Sequence, residues 1–200
     1  MPQPPSVITL QVVRRALAPL GAVPGTEPAG PSAAVALILS PGDHGNLDTL
    51  FIRRAARAGD PWSGQVALPG GRRSTGDPDL TATAVRETEE EIAVVLRRAE
   101  RLAALADLHP RTPVLPPLIV RPFVFALDDR PAVRAGAEVH SVFWTPLSTL
   151  LAPGARRDII LPLRTTPPRT GPAYVIGADT IWGMTERIIT ALLEILSLPV

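Results

Sequence analysis

Residues 86–91 read Arg-Glu-Thr-Glu-Glu-Glu, which places four carboxylates within five positions. In a helix turning by about 100° per residue, Glu87, Glu90 and Glu91 share one side and Glu89 points away. Like charges at these spacings repel by about 0.2–0.5 kcal/mol per pair, so stability alone gives no reason to gather them. A divalent cation reverses that sign, and carboxylate oxygens suit Mg²⁺ or Mn²⁺ shared with substrate phosphates. The stretch predicts either a metal face for phosphate chemistry or an ordinary solvated helix surface.

The residues around this stretch predict the helix that positions it. Asp77 followed by Pro78 is typical of an N-cap and a first helical residue, so we expect the helix to start at Pro78. Arg86 lies beside Glu87 and one turn before Glu90, where it can orient a carboxylate through charge-assisted hydrogen bonds. The predicted core face of the helix is a separate arc, made of Val85, Thr88, Ile92 and Val95.

Together with the preceding Leu-Pro-Gly-Gly at 68–71, the acidic stretch resembles the signature of the Nudix hydrolases. That signature is Gly, five residues, Glu, seven residues, then Arg-Glu, apolar, any, Glu-Glu, any, Gly, apolar. The matching positions are Gly71, Arg86, Glu87, Glu90, Glu91 and Val94. Asp77 stands in place of the first Glu, eight residues rather than seven precede Arg86, and Ala93 replaces the closing Gly. The extra residue is similar to the variant of the coenzyme A diphosphatase branch, and we call residues 70–94 the Nudix box.

The resemblance implies hydrolysis of a phosphoanhydride in a nucleoside diphosphate linked to a further group, by water attack on phosphorus with Mg²⁺ or Mn²⁺ as cofactor. The metal ligands it implies are Glu87, Glu90 and Glu91, with the Gly70 carbonyl as a further ligand. Two cations about 3.5–4 Å apart can clamp the attacking and leaving oxygens. Arg86 is expected to orient Glu87 or Glu90.

A further acid is expected outside the box. Glu138 resembles the first acid of a Glu-Val pair in the coenzyme A branch, and we assign it as a further ligand or as the general base. Ser141 stands where a second Glu is expected. The predicted substrate contacts are Arg54, Gly71, Arg72, His109 and Arg111, the last two in a proline-rich loop.

Coenzyme A, cut to 4′-phosphopantetheine and 3′,5′-ADP, is the first-choice substrate, because flanking motifs across roughly residues 33–195 resemble the same branch. Asp60 and Leu68 depart from that branch, which would carry a basic residue and Phe there. The alternatives are ADP-ribose, NADH or a nucleoside triphosphate. A catalytically silent Nudix scaffold that binds nucleotide or protein is the alternative from another class.

The wider pattern predicts an α/β/α sandwich with a mixed sheet. We expect one domain over residues 1–200, with a helix and linker in 1–30, helices at 7–20 and 147–151, and a C-terminal helix reaching 196. The predicted strands are 33–39, 49–54, one ending at 68, 118–127, 138–144 and 174–176. Residues 95–108 stay ambiguous, 152–172 are expected to form a long loop, and Ala93 is expected to keep helical angles.

Composition excludes several other classes. The chain has 200 residues, 46% of them hydrophobic, a net charge of +1 and no cysteine, so disulfides and thiolate metal sites are excluded. All basic residues are Arg, and they form no field typical of nucleic-acid binding. Neither a signal peptide nor a membrane span is predicted, and a cytoplasmic location is the expectation. The sequence leaves a homodimer open.

Overall fold

The apolar run after the N-terminal linker forms the central strand of the fold, β1 (Ser32–Pro41). Its side chains alternate between two cores: Ala36 and Ile38 face one, whereas Leu37 and Leu39 face the other. Successive side chains of an extended chain point to opposite faces, so a strand that is apolar on both faces needs a cover on each side. β1 is therefore the middle layer of three.

The structure, a computed structural model, describes residues 7–21, 26–60, 62–110, 117–162 and 167–197. The further strands of the main sheet in those ranges are β2 (Leu47–Arg54), β3 (Val66–Ala67), β4 (Gly70–Arg72), β5 (Glu100–Ala104), β6 (Ile119–Ala126) and β7 (Val139–Pro146). β1 pairs in parallel with β6 and antiparallel with β2 and β4, so the sheet is mixed. β2 also pairs with β3 and β7, and β5 pairs with β6. A separate antiparallel sheet contains β8 (Arg156–Ile160), β9 (Thr170–Ile176) and β10 (Asp179–Trp182).

Helices cover both faces of the main sheet. They are α1 (Leu10–Leu17), α2 (Leu80–Ile92), α3 (Leu147–Leu151) and α4 (Gly183–Ser197). α2 buries Leu80, Ala84 and Ile92 in one core, while α1 and α4 bury their apolar faces in the other. The predicted α/β/α sandwich with a mixed sheet is confirmed. Within the described ranges, no helix is both long enough and apolar enough to cross a membrane.

The predicted start of α2 at Pro78 is wrong. Asp79 is the N-cap, and its side chain accepts a hydrogen bond from the Ala82 N–H at 2.7 Å. Asp77 is buried instead, with its carboxylate turned toward Arg86. Asp-Pro at 77–78 satisfied the local rule for an N-cap, but the Asp-Leu pair that follows satisfies it as well, and the tertiary partner of Asp77 decides between them.

The predicted end of α2 is also wrong, because Ala93 is left-handed with φ 59° and ψ 25°. The backbone of residues 134–136 docks on the helix end: the Arg134 N–H donates to Ile92 O at 3.0 Å and the Gly136 N–H donates to Glu91 O at 2.8 Å. These bonds satisfy carbonyls that have no partner within the helix. They offset the roughly 1–2 kcal/mol that a left-handed L-residue costs.

We expect Ala93→Gly to raise the free energy of unfolding by about 0.5–1 kcal/mol, because glycine adopts φ > 0 without the steric cost of a Cβ atom. Chemical denaturation of both chains measures the difference. The control is Ala82→Gly inside α2, where the same change should lower stability by about 1 kcal/mol. An Ala93→Gly chain that is less stable than wild type would contradict the explanation.

The structure also differs from two further expectations and decides one stretch that the sequence left open. The predicted loop at 152–172 is wrong, because β8 and the start of β9 lie in it; β8 is an exposed edge strand without apolar alternation. On α2, Thr88 and Ile92 are buried as predicted, but Val85 is only partly buried and Val95 is 49% exposed beyond the helix end. The ambiguous stretch forms a 3₁₀ turn, Leu96–Arg98, followed by β5.

Candidate active site

Two glycines in β4 bring the backbone against the acidic side of α2. Gly70 has φ 149°, and a Cβ there would lie 2.2 Å from Ala34 O in the neighbouring strand. At Gly71 a Cβ would lie 2.4–2.6 Å from the carboxylate atoms of Glu87. A side chain at residue 70 would therefore collide with the neighbouring strand, and a side chain at residue 71 would displace the Glu87 carboxylate. The predicted importance of this pair has a steric basis that the sequence did not show.

Glu91 is the most enclosed of the glutamates in α2. It is 8% exposed, and its Oε2 accepts a hydrogen bond from the Gly70 N–H at 2.9 Å. Burial raises the pKa of Glu91 to about 7, and the charge of Glu87 adds to the increase although the Gly70 hydrogen bond opposes it. Burial also raises the pKa of Glu87, against the hydrogen bond from Arg86. Both groups thus lie where a cation would relieve a cost that the fold otherwise carries.

Arg86 joins the carboxylates into one network. Its Nη1 donates to Glu87 at 2.9 Å and to Glu90 at 3.0 Å, which is the orientation predicted from the sequence. Its Nε and Nη2 each donate to Asp77 at 2.9 Å, and Nη2 also donates to the Arg72 carbonyl at 3.2 Å. The planar fork of the guanidinium group allows these contacts at the same time.

Asp77 anchors that network from the turn before α2. Besides Arg86, its carboxylate accepts the Ser74 N–H at 2.8 Å and the Thr83 hydroxyl at 3.0 Å. The Arg86 hydrogen bonds hold the pKa of Asp77 well below its ordinary value, despite burial. Asp77 therefore stays ionised and fixes Arg86. Local capping rules do not indicate this role, and the signal available was the position of Asp77 at the first Glu of the signature.

A second group of charges lies at the end of β2. Arg54 donates to Asp60 at 2.8 Å, and Asp60 also accepts the Trp62 N–H at 2.9 Å. Although partial burial opposes ionisation of Asp60, these hydrogen bonds outweigh it and lower the pKa of Asp60. Arg54 and Glu138 both contribute to the electrostatic environment of Glu91, with opposite signs.

Glu138 precedes β7 and is open to solvent, with 56% of its side chain exposed. It forms an ion pair with Arg57 at 3.3 Å, and its carbonyl accepts the Ala55 N–H at 2.9 Å. The docking of residues 134–136 on the end of α2 brings this segment toward the box. Arg57 was not singled out from the sequence, which gave no signal for it.

Of the two substrate contacts predicted in the proline-rich loop, only His109 lies in the described part of the chain, and it is not part of this group. His109 is exposed, and its carbonyl accepts a hydrogen bond from Arg187 of α4 at 2.9 Å. None of the hydrogen bonds described for His109 reaches the box. Arg111 lies outside the described residues.

The carboxylate oxygens of Glu87, Glu90 and Glu91 are the kind of ligand that a hard cation prefers. Glu87 and Glu91 lie against β4, whereas Glu90 turns to Arg86 and its side chain is 59% exposed. Among the described residues, no three acidic or histidine side chains already converge as a metal cluster. The carboxylate oxygens that lie against β4 nevertheless suit Mg²⁺ or Mn²⁺, which bind through few carboxylates and keep several waters.

Comparison with known proteins gives a consistent family. The model of the NUDIX domain matches residues 30–162. The chain is 37% identical over 131 residues to the uncharacterized protein C14C4.10c of Schizosaccharomyces pombe, an alignment of 63% of this chain and 40% of that protein. It is 28% identical over 170 residues to the mitochondrial coenzyme A diphosphatase NUDT8 of Homo sapiens, covering 84% of this chain and 71% of that protein.

A solved structure shares the fold. The MutT/nudix family protein from Enterococcus faecalis superposes with a TM-score of 0.56 at 21% identity, over 88% of this chain and 70% of that one. Of the two sequence relatives, the chain spans less than half of the Schizosaccharomyces pombe protein and 71% of the human one.

Proposed function

Because the chain belongs to the NUDIX family, we propose that it is a metal-dependent pyrophosphohydrolase acting on a nucleoside diphosphate linked to a further group. The observation that carries this proposal is the placement of Glu87 and Glu91 against the Gly70–Arg72 strand. We also propose one domain over residues 1–200. A cytoplasmic location and a homodimer stay predictions.

Glu87, Glu90 and Glu91, with the Gly70 carbonyl, would hold Mg²⁺ or Mn²⁺. Such a cation, when bound, neutralises phosphate charge and lowers the pKa of water. Arg86 holds the carboxylates of Glu87 and Glu90 through hydrogen bonds from one guanidinium nitrogen. The missing side chains at Gly70 and Gly71 let the strand lie directly against β1 and against the Glu87 carboxylate. As water attacks phosphorus, a P–O bond forms, the anhydride P–O bond breaks, and the Glu138 carboxylate accepts the proton.

We expect Glu138→Gln to lower kcat by about 10²-fold or more while KM changes little, because loss of a general base acts on the transition state. Steady-state kinetics at saturating Mn²⁺ measure both constants. Glu89→Gln is the matched control, since Glu89 lies on the far side of α2 beside Arg97. An unchanged kcat would leave Glu138 structural. The role of general base would then pass to another acid, such as Asp107 or Glu186, which form ion pairs with Arg121 and Arg156.

Coenzyme A is the substrate we propose, with 4′-phosphopantetheine and 3′,5′-ADP as products. Support comes from the motifs that resemble the coenzyme A branch and from the relative described as a coenzyme A diphosphatase. Asp60 argues against coenzyme A, because its carboxylate already pairs with Arg54, a predicted substrate contact. The box specifies metal and phosphate only, so selectivity depends on such surrounding charges.

The test offers the purified chain, with Mn²⁺, coenzyme A, dephospho-coenzyme A, ADP-ribose, NADH and nucleoside triphosphates. We expect a diphosphate-bridged substrate to be preferred. If Asp60 stands near the 3′-phosphate, dephospho-coenzyme A should equal or exceed coenzyme A in kcat/KM, since the carboxylate repels that phosphate. A clear preference for triphosphates would contradict the coenzyme A proposal. Metal binding without hydrolysis of any compound would favour the silent scaffold.

A further inference from the structure

Glu27, in the segment that leads into β1, contacts the start of α2. Its Oε1 accepts the N–H of Leu80, the first residue of the helix, at 3.4 Å. Its Oε2 accepts Arg73 Nη1 at 3.2 Å, and both side chains are about two-thirds covered, with 34% and 30% exposed. Glu27 precedes residues 30–162, the part of the chain that matches the family.

Arg73 extends this contact into the turn between β4 and α2. Its Nη2 donates to Pro78 O at 2.8 Å and to Asp77 O at 3.3 Å, and its Nε donates to Asp77 O at 3.4 Å. The carboxylate of Asp77 in that turn holds Arg86, which in turn contacts Glu87 and Glu90. A continuous series of polar contacts therefore joins Glu27 to two of the candidate metal ligands.

The segment that carries Glu27 is itself fastened to the main sheet. Arg121 of β6 has only 7% of its side chain exposed, and its Nη2 donates to Thr26 O at 3.1 Å. Arg121 also donates to Asp107 at 2.7 and 2.9 Å. Because the Thr26 carbonyl is bound to a buried side chain of an interior strand, the backbone next to Glu27 is anchored to the main sheet.

We propose that Glu27 is a positioning residue for the candidate metal site. It holds the turn at 73–79, and through Asp77 and Arg86 it sets where Glu87 and Glu90 point. This inference rests on the proposed function. Residues that orient metal ligands cost about 10–100-fold in metal affinity or activity when replaced. Because Glu27 acts through other residues, we expect a smaller loss of about 5–10-fold, at or just below the lower limit of that range.

The experiment compares the full chain with Glu27→Ala, Glu27→Gln and the control Glu100→Ala. Glu100 likewise forms an ion pair that ties the N-terminal region, through Arg14, to the main sheet. Calorimetry without substrate measures the Mn²⁺ affinity. Amide hydrogen exchange of residues 74–80 is followed without metal, and kcat and KM are determined with Mn²⁺. We expect Glu27→Ala to weaken Mn²⁺ binding and lower kcat by about 5–10-fold each, with KM little changed. Exchange at 74–80 should accelerate by about tenfold or more.

Glu27→Gln keeps one acceptor and should fall between wild type and Glu27→Ala, whereas Glu100→Ala should match wild type in Mn²⁺ affinity and exchange even if its Tm falls. Equal behaviour of Glu27→Ala and Glu100→Ala in all three measurements would overturn the inference. If wild type binds Mn²⁺ but hydrolyses nothing, the proposed function fails, while affinity and exchange still decide the role of Glu27. A wild-type chain that takes up no Mn²⁺ would overturn both.

Discussion

Glu91→Gln is expected to lower turnover by about 10²–10³-fold, the loss typical when a preorganised charge is removed from a reacting site. Glutamine keeps an oxygen that can accept the Gly70 N–H, so the local hydrogen bond survives. It removes a buried charge next to Glu87, so the metal-free chain should unfold at the same or a higher temperature. Activity and stability should therefore change in opposite directions, a pattern that a merely misfolded variant cannot produce.

The burial of Glu91 should also make the stability of the metal-free chain depend on pH. Because the folded pKa of Glu91, about 7, lies above its ordinary value of 4.5, this group favours folding most below pH 4.5 and loses that contribution as pH rises through 7. The Glu91→Gln chain should lack this part of the decline. Thermal unfolding of both chains with chelator, between pH 5 and 8, tests it.

Glu90→Gln and Glu89→Gln complete this comparison. Glu90 is exposed and shares Arg86, so its replacement should reduce turnover with little effect on stability. Glu89 lies beside Arg97 and should be silent in both measurements. Full activity of both the Glu90 and Glu91 variants would remove α2 from the mechanism.

Gly71→Ala is expected to leave the fold stable and to abolish most of the activity. The atoms that a new Cβ would meet belong to the Glu87 carboxylate, the far end of a flexible side chain, so the chain can adapt by moving Glu87 away. Displacing a catalytic group by about 1 Å can cost on the order of 10²-fold. Mn²⁺ calorimetry and turnover should both show the loss, while chemical denaturation shows little change.

Gly70→Ala is the matched comparison one residue earlier. Its φ of 149° disfavours an L-residue, and its Cβ would meet the Ala34 carbonyl and the Val35 Cα, which are backbone atoms of β1. We expect a loss of at least about 1–3 kcal/mol of stability. If Gly71→Ala instead retained activity, Glu87 would not need the space beside that strand.

The sequence determined the pieces and their chemistry. Carboxylates three and four residues apart share a helix side whatever surrounds them, and Arg86 reaches Glu87 and Glu90 because neighbours on a helix are local. The apolar runs that became β1, β2, β6 and β7 were recognisable for the same reason: β-branched and aromatic residues between proline and glycine turns favour strands locally. The layered fold followed from their order along the chain.

Tertiary structure decided what depends on distant partners. Asp77 fits the sequence pattern of an N-cap, but its carboxylate binds Arg86 instead. For a buried carboxylate the ion pair outweighs the preference for capping a helix. Ala93 became left-handed because Arg134 and Gly136 bind the helix end from more than 40 residues away. Glu27 reaches α2 across an even longer separation. Such contacts join residues that no local spacing relates, so only the folded chain could reveal them.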